Sequence, residues 1–361
     1  MECVIEQEII LVDKEYQVVK QYVEQIDRKS IFVVAGKSAT KLDIYRQLMN
    51  TFQTNEMVVN LFGDFEPNPE YISVEKGIDE YRQSGAEMIV AIGGGSAMDV
   101  AKAIELQVAS GHLIAIPTTA GTGSESTKFA VIYRDGEKQS LEHERCLPRT
   151  VFLDSRVLYS LSEYHRKAPM LDALCHAIES IWSKGSTSES RQYAIDAIKM
   201  WMVYKDAYLQ NTDVGNEKML MAANLAGKAI NISKTTAGHA CSYKLTKLYG
   251  IAHGHAVALC IAKIWPYMMD KLEAMSDGNQ AKILQERLDI IAEAMGCRNS
   301  REAIQLFQTL LGELQITIPS NIREEDIGIL KESVNTERLY NHPIEISDED
   351  IEKLYHRILE I

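Results

Sequence analysis

Along the first 160 residues, short β-branched apolar runs alternate with segments whose apolar positions recur at helical spacing. Ser30–Gly36 is an apolar run closed by glycine, as a buried parallel strand would be, and Thr40–Thr51 follows as a helix. Glu56–Phe62, Met88–Ile92 and His112–Pro117 read as further strands, and Val74–Ser84 and Ala97–Ala109 as the helices between them. Strands and helices in this alternation predict a parallel α/β sheet. Residues 131–141, around Asp135-Gly136, read as an inserted hairpin. Near Ser160 the pattern changes to long helical segments: Glu163–Ser183, Ser188–Leu209, Glu217–Ser233, His253–Leu272 and Asn279–Met295. Arg301–Ile361 continues helical, with Pro319, Pro343 and the acidic cap Ser347-Asp348-Glu349 as boundaries. The expected fold is an α/β amino-terminal parallel-sheet domain, residues 1–160, followed by an all-α carboxy-terminal domain, residues 161–361.

Composition narrows the partners. A chain of 361 residues can build two cores, and 46% hydrophobic with 25% charged residues is ordinary for a globular protein. A formal net charge of -13 argues against nucleic acid as a partner, because phosphate backbones are bound by Lys and Arg. No stretch approaches the roughly 18 apolar residues of a spanning helix, and no basic flank precedes an apolar run at the amino terminus. Six cysteines without CxxC spacing fit free thiols in a reducing compartment. A cytoplasmic protein without membrane association is expected.

Two loops carry candidate chemistry in the first domain. Gly93-Gly94-Gly95-Ser96 lies between a strand and a helix, with Asp99 and Lys102 following in that helix. Glycines there let a pyrophosphate approach the backbone, and the helix start offers free N–H groups and a positive dipole end. The usual dinucleotide fingerprint is absent, since Met98 stands where its third glycine would be. The next strand ends in Pro117-Thr118-Thr119-Ala120-Gly121-Thr122-Gly123-Ser124-Glu125, rich in hydroxyls that suit phosphate and ribose. A tight turn and a capped helix start are the plain alternatives. Two successive strands ending in such loops favour a ligand at the carboxyl edge of the sheet.

The second domain holds Asp172-Ala-Leu-Cys-His176-Ala-Ile-Glu179, with a carboxylate and an imidazole four apart on one helix face. His239 and His253 follow, each by itself an ordinary core or surface histidine. With Asp172 and His176 they make one carboxylate and three imidazoles, a donor set for a catalytic divalent ion.

In this order, these motifs resemble the iron-containing, or group III, alcohol dehydrogenases, over essentially the whole chain. The resemblance implies a dehydroquinate synthase-like fold with the active site in the interdomain cleft. It maps the metal ligands onto Asp172, His176, His239 and His253, the pyrophosphate loop onto Gly94, Gly95 and Ser96 with Asp99, and the second cofactor loop onto Thr118, Thr119 and Thr122. Many family members carry a histidine four residues after the third ligand. Here that position is Tyr243, so a histidine relay is not expected and Tyr243 is the candidate proton carrier. His255 has no assigned role. The implied chemistry is reversible reduction of an aldehyde to a primary alcohol, with Fe2+ or Zn2+ as Lewis acid and NADPH or NADH as hydride carrier. Family members are commonly dimers or larger, so a homo-oligomer is expected.

The first strand ends in Gly36, Lys37 and Ser38, without the acidic residue that NAD-preferring relatives often place there to bind the ribose 2′-hydroxyl. This corner leans to NADPH, with dual use open. Asn231–Thr236 sets Lys234 and three hydroxyls just before His239, which suits an anionic oxygen cluster; a solvated helix cap is the alternative. Ser126–Leu141 and the Lys234 loop look like the phosphonoacetaldehyde reductase branch, which reduces phosphonoacetaldehyde to 2-hydroxyethylphosphonate. A zinc-dependent glycerol or other polyol dehydrogenase, a dehydroquinate-synthase-like lyase and a noncatalytic metal- or nucleotide-binding regulator are the competing readings.

Overall fold

The structure, a computed structural model, describes residues 7–134, 137–275 and 278–360. The chain divides into two compact units, Met1–Ser160 with Asn211–Asn224, and Leu161–Gln210 with Leu225–Ile361. The segment 211–224 thus belongs with the first unit, which a single division at residue 160 does not capture.

The first unit is built on a six-stranded parallel sheet. In chain order its elements are β1 (Glu8–Leu11), α1 (Gln17–Gln25), β2 (Ser30–Ala35), α2 (Asp43–Thr54), β3 (Val58–Phe62), α3 (Tyr71–Ser84), β4 (Met88–Gly93), α4 (Gly95–Val108) and β5 (Leu113–Pro117). A hairpin of β6 (Phe129–Arg134) and β7 (Glu137–Glu142) and the strand β8 (Thr150–Leu153) complete it. The hairpin is antiparallel; the Asp135-Gly136 pair from which it is expected lies outside the described residues. The sheet order is β1-β8-β5-β4-β2-β3. From β2 the chain steps one way to β3, then returns across β2 to β4 and continues the other way. The switch point therefore falls between β2 and β4, where parallel sheets bind ligands beyond the carboxyl ends of their strands. Strands β4 and β5 are buried throughout and β2 from Ile31 on, which explains why these three read as unbroken apolar runs.

Three of these elements have no counterpart in the sequence pattern. β1 is an edge strand of four residues with no buried position, and its apolar run, residues 9–12, is only four residues long. β8 is buried but only four residues long, just past Pro148. Helix α1 starts beyond a left-handed Tyr16, and Asp13 caps it from outside by accepting from the amides of Gln17 and Val18.

The second unit is helical. It contains α5 (Glu163–Trp182), α6 (Ser188–Leu209), the end of α7 (Asp213–Ser233), α8 (Ala237–Tyr249), α9 (His253–Ala274), α10 (Asn279–Ala294), α11 (Ser300–Glu313), α12 (Asp326–Glu332), α13 (Thr336–Tyr340) and α14 (Asp348–Leu359). α5 is its central helix, buried at every position from Met170 to Trp182 and packed on α6, α9 and α10. Trp182 meets Trp265 edge to face at 5.6 Å, and Trp265 leans on Phe307. α14 starts where its acidic cap predicts, with Ser347 Oγ accepting from the Asp350 amide at 3.2 Å. α8 is absent from the sequence reading, because its first turn opens on Ala237-Gly238-His239, with no side-chain cap to announce it. Among the described residues, no helix is long and apolar enough to cross a membrane.

Candidate metal centre and cofactor loops

Asp172 and His176 sit one turn apart on the buried helix α5, His239 in the first turn of α8, and His253 at the first position of α9. The fold brings all four together. Nε2 of His239 lies 3.4 Å from Oδ1 of Asp172, and Nε2 of His176 and of His253 each lie 3.9 Å from the same oxygen. The rings of His176 and His239 stack at 4.4 Å, and His253 stands edge-on to His239 at 5.3 Å. Close packing makes this convergence possible. A Cβ on Gly254 would stand 2.8 Å from the Cβ of Asp172 and run into the backbone carbonyl of Ala168, so only glycine lets α9 approach α5 here.

Asp172 and His239 are each 2% exposed, yet Oδ1 of Asp172 and Nε2 of His239 make no hydrogen bond. Buried polar atoms are seldom left unsatisfied, and here they face one point. One carboxylate and three imidazoles are a donor set that Fe2+ and Zn2+ both accept. Burial pushes the Asp172 carboxyl up, but His176, His253 and His239 outweigh it and hold the group well below the usual carboxylate range. Burial pulls His239 down, but Glu179 and Asp172 outweigh it and raise it to about 10, so a divalent ion binds this set by displacing protons.

The surrounding contacts fix the ligands. Glu179, fully buried on α5, receives Nδ1 of His239 on one oxygen and the Thr236 hydroxyl and Gly238 amide on the other. The sequence alone assigns Glu179 no role, although its place seven residues after Asp172 puts it on the same helix face. His255 donates from Nε2 to the Thr317 carbonyl at 2.8 Å, which leaves Nδ1 to accept from Tyr164 Oη at 3.1 Å. Tyr164 Oη in turn accepts from the Ala252 amide at 2.8 Å. His255 thus anchors the turn that presents His253. Tyr243 lies against the His253 ring. Lys234, in a left-handed conformation at φ 59, donates to Glu337 at 3.0 Å. Its ammonium is therefore engaged by a carboxylate, a partner the sequence does not reveal.

In the first unit, the glycine loop is the helix start itself. Gly93 ends β4, Gly94 is the cap, and Gly95 and Ser96 form the first turn of α4, two residues earlier than the sequence pattern places it. The second loop packs against it. The Thr118 amide donates to the Gly93 carbonyl at 3.0 Å, and Thr119 and Thr122 lie within ordinary contact of a Cβ placed on Gly94 and Gly95, at 3.5 and 3.4 Å. Thr118, Thr119, Thr122 and residues 94–96 are half-buried, while Lys37 and Ser38 beyond β2 are exposed, with Gly36 half-buried beside them. Lys102 is fully buried and donates to the Ser124 carbonyl, Ser124 Oγ (3.1 Å), Thr127 Oγ1 (3.0 Å) and the Phe129 carbonyl (2.8 Å). It ties the second loop to α4. Asp99 accepts from Ser124 Oγ at 3.5 Å; burial raises its carboxyl to about 7, against the pull of Lys102. Asp99, expected to bind cofactor, thus also belongs to this internal network.

Comparison with known proteins decides the family. Residues 7–155 match the iron-containing alcohol dehydrogenase model, and residues 167–359 match the C-terminal model of the same family. The chain belongs to the iron-containing alcohol dehydrogenases. It is an oxidoreductase with the α/β and helical domains of that family. Similar proteins include the NAD-dependent methanol dehydrogenase of Bacillus methanolicus, 26% identical over 85% of this chain and 86% of that protein. The phosphonoacetaldehyde reductase of Streptomyces viridochromogenes is 28% identical over 76% of this chain and 77% of its own. Among solved structures, a sulfoacetaldehyde reductase from Bifidobacterium kashiwanohense in complex with NAD+ superposes with a TM-score of 0.83 at 28% identity, over 98% of this chain and 97% of that one. An iron-containing alcohol dehydrogenase from Thermotoga maritima gives 0.84 at 27% identity, over 100% and 99%.

Proposed function

We propose that this dehydrogenase catalyses the metal-dependent, NAD(H)-linked, reversible reduction of a short aldehyde bearing an anionic group to the primary alcohol. The observation that carries the metal site is the convergence of three imidazole Nε2 atoms within 3.4 to 3.9 Å of a single Asp172 oxygen. Asp172, His176, His239 and His253 hold the ion, taken as Fe2+ from the family. When bound, it supplies Lewis acidity toward the carbonyl oxygen, and the nicotinamide supplies the hydride.

The chain's own residues do the rest. The free amides at Gly94, Gly95 and Ser96, with the positive end of α4, bind the pyrophosphate, and the hydroxyls of Thr118, Thr119 and Thr122 bind the adjoining phosphate and ribose. Tyr243 Oη carries the proton to or from the substrate oxygen. Lys234, five residues before His239, binds the anionic group of the substrate in exchange for Glu337. Two similar proteins support an anionic substrate, one named for phosphonoacetaldehyde and one for sulfoacetaldehyde. NAD is the cofactor named for the Bacillus methanolicus methanol dehydrogenase and the one bound to the sulfoacetaldehyde reductase. The Gly36-Lys37-Ser38 corner, lacking a carboxylate, also has room for the 2′-phosphate of NADPH. Five cysteines among the described residues are free thiols, which accords with a cytoplasmic enzyme.

An aldehyde panel tests this reading. With Fe2+ and NADH under anaerobic conditions, phosphonoacetaldehyde or sulfoacetaldehyde should give a kcat/KM at least about tenfold above acetaldehyde. Equal turnover of charged and uncharged aldehydes overturns the anionic substrate, and no turnover of any aldehyde overturns the activity.

A further inference from the structure

We propose that Glu179 is the positioning residue that sets the tautomer of His239 and so makes its Nε2 a metal ligand, resting on the reading that Asp172, His176, His239 and His253 hold a divalent ion. A histidine binds a metal through Nε2 only when its proton sits on Nδ1, and the partner of Nδ1 decides this. Here that partner is identifiable from donor directions alone. The indole of Trp182 can only donate, and it donates to Thr236 Oγ1 at 2.8 Å. The Thr236 hydroxyl proton is thereby turned onward, to Oε1 of Glu179 at 2.6 Å. The Gly238 amide, also a donor only, reaches the same oxygen at 2.7 Å. Oε1 thus receives two protons in hydrogen bonds, and Glu179 is an acceptor throughout.

The second oxygen, Oε2, meets Nδ1 of His239. An acceptor there holds a proton on Nδ1, so that Nε2, which faces Oδ1 of Asp172 at 3.4 Å, is the nitrogen left to a metal. The arrangement is built into the backbone. Any side chain at Gly238 would place its Cβ 2.6 Å from Ile261 Cγ1 and 2.9 Å from Glu179 Oε1, so the amide reaches the carboxylate only because residue 238 is glycine. Glu179 is itself wholly buried, and a buried carboxylate is retained only where donors surround it. Thr236, Gly238 and His239 supply them, with Trp182 turning the Thr236 hydroxyl toward the carboxylate.

Glu179→Gln reverses the logic with little change in shape. Its amide oxygen still accepts from Thr236 and Gly238, so its NH2 faces His239 and donates to Nδ1, which moves the ring proton to Nε2. Nitrogen-15 spectra of the metal-free protein should report a proton on Nδ1 of His239 in the wild type and a bare Nδ1, with the proton on Nε2, in E179Q. Competition of Co2+ and of Zn2+ against a chromogenic chelator should show affinity about 10- to 100-fold weaker in E179Q, with a changed visible spectrum of bound Co2+. Thr236→Val, which removes one donor and keeps the carboxylate, should lose less in the same direction, and it serves if E179Q does not fold. Unchanged tautomer and metal affinity in E179Q, with only thermal stability lowered, overturns the proposal and leaves Glu179 a packing residue. A wild type that binds neither metal overturns the reading of the metal site, whereas the tautomer measurement still judges Glu179.

Discussion

The phenol of Tyr243 lies parallel to the imidazole of His253, with ring centres 5.6 Å apart and planes at 9°. Tyr243 is one helical turn beyond His239 on α8, so one face of that helix presents a metal ligand and the ring that packs on another ligand. Two variants separate its ring from its hydroxyl. Tyr243→Phe keeps the stack and should leave metal affinity unchanged, while kcat falls on the order of 10²-fold through loss of the proton carrier. Tyr243→Ala should in addition loosen His253 and weaken metal binding. Full kcat in the Phe variant would remove the hydroxyl from the mechanism.

Lys102 offers a test of the loop pair. Lys102→Met leaves the acceptors at Ser124, Thr127 and Phe129 and the carboxylate of Asp99 without their cation. Removing one member of a buried charged network should destabilise the protein by about 3 kcal/mol, measured by denaturant unfolding. NADH binding should weaken roughly tenfold as the second loop loses its tie to α4. Wild-type affinity in a folded K102M would show that the loop holds its shape without the lysine.

His342 gives the fold an acid-sensitive point. It is fully buried, with neither ring nitrogen hydrogen-bonded, and meets Trp182 edge-on at 6.2 Å. Burial, the largest influence, lowers its pKa from 6.5 to about 4; Glu179 pulls upward and Lys184 downward. Between those values the unfolded chain holds the extra proton, so stability is complete above pH 6.5 and declines as pH falls toward 4. The decline is worth roughly 3 kcal/mol. Denaturation of wild type and His342→Phe across this range should show a steeper fall in the wild type; parallel curves would contradict it.

Lys37 offers a test of the choice of cofactor. It is exposed at the end of β2, beside the switch point of the sheet. Lys37→Asp should lower kcat/KM for NADPH by about tenfold or more, through repulsion of the 2′-phosphate, while NADH is spared. Equal losses with both cofactors would place Lys37 away from the ribose.

Much of this was legible in the sequence because it rests on local pattern. Strands β2, β4 and β5 are interior, so each reads as an apolar run closed by a loop, and the loops after β4 and β5 carry the glycines and hydroxyls. Asp172 and His176 are visible because helical spacing makes them neighbours. What stayed hidden depends on contacts between distant segments. Glu179 gains its role from Thr236 and Gly238, Lys102 from Ser124 to Phe129, and Lys234 its counter-ion from Glu337, more than 100 residues away. Strands β1 and β8 are too short to register as patterns, and α8 begins without a capping side chain. His255, a histidine beside a ligand, is an anchor because Thr317 and Tyr164 take both its nitrogens.

The proposed chemistry runs on an ion held by Asp172, His176, His239 and His253. Its most direct test is the initial rate of NADH-linked aldehyde reduction by metal-stripped protein titrated with Fe2+ under anaerobic conditions. Negligible rate without metal and a rise that saturates at one ion per chain are expected. Full turnover by the metal-stripped protein would contradict it.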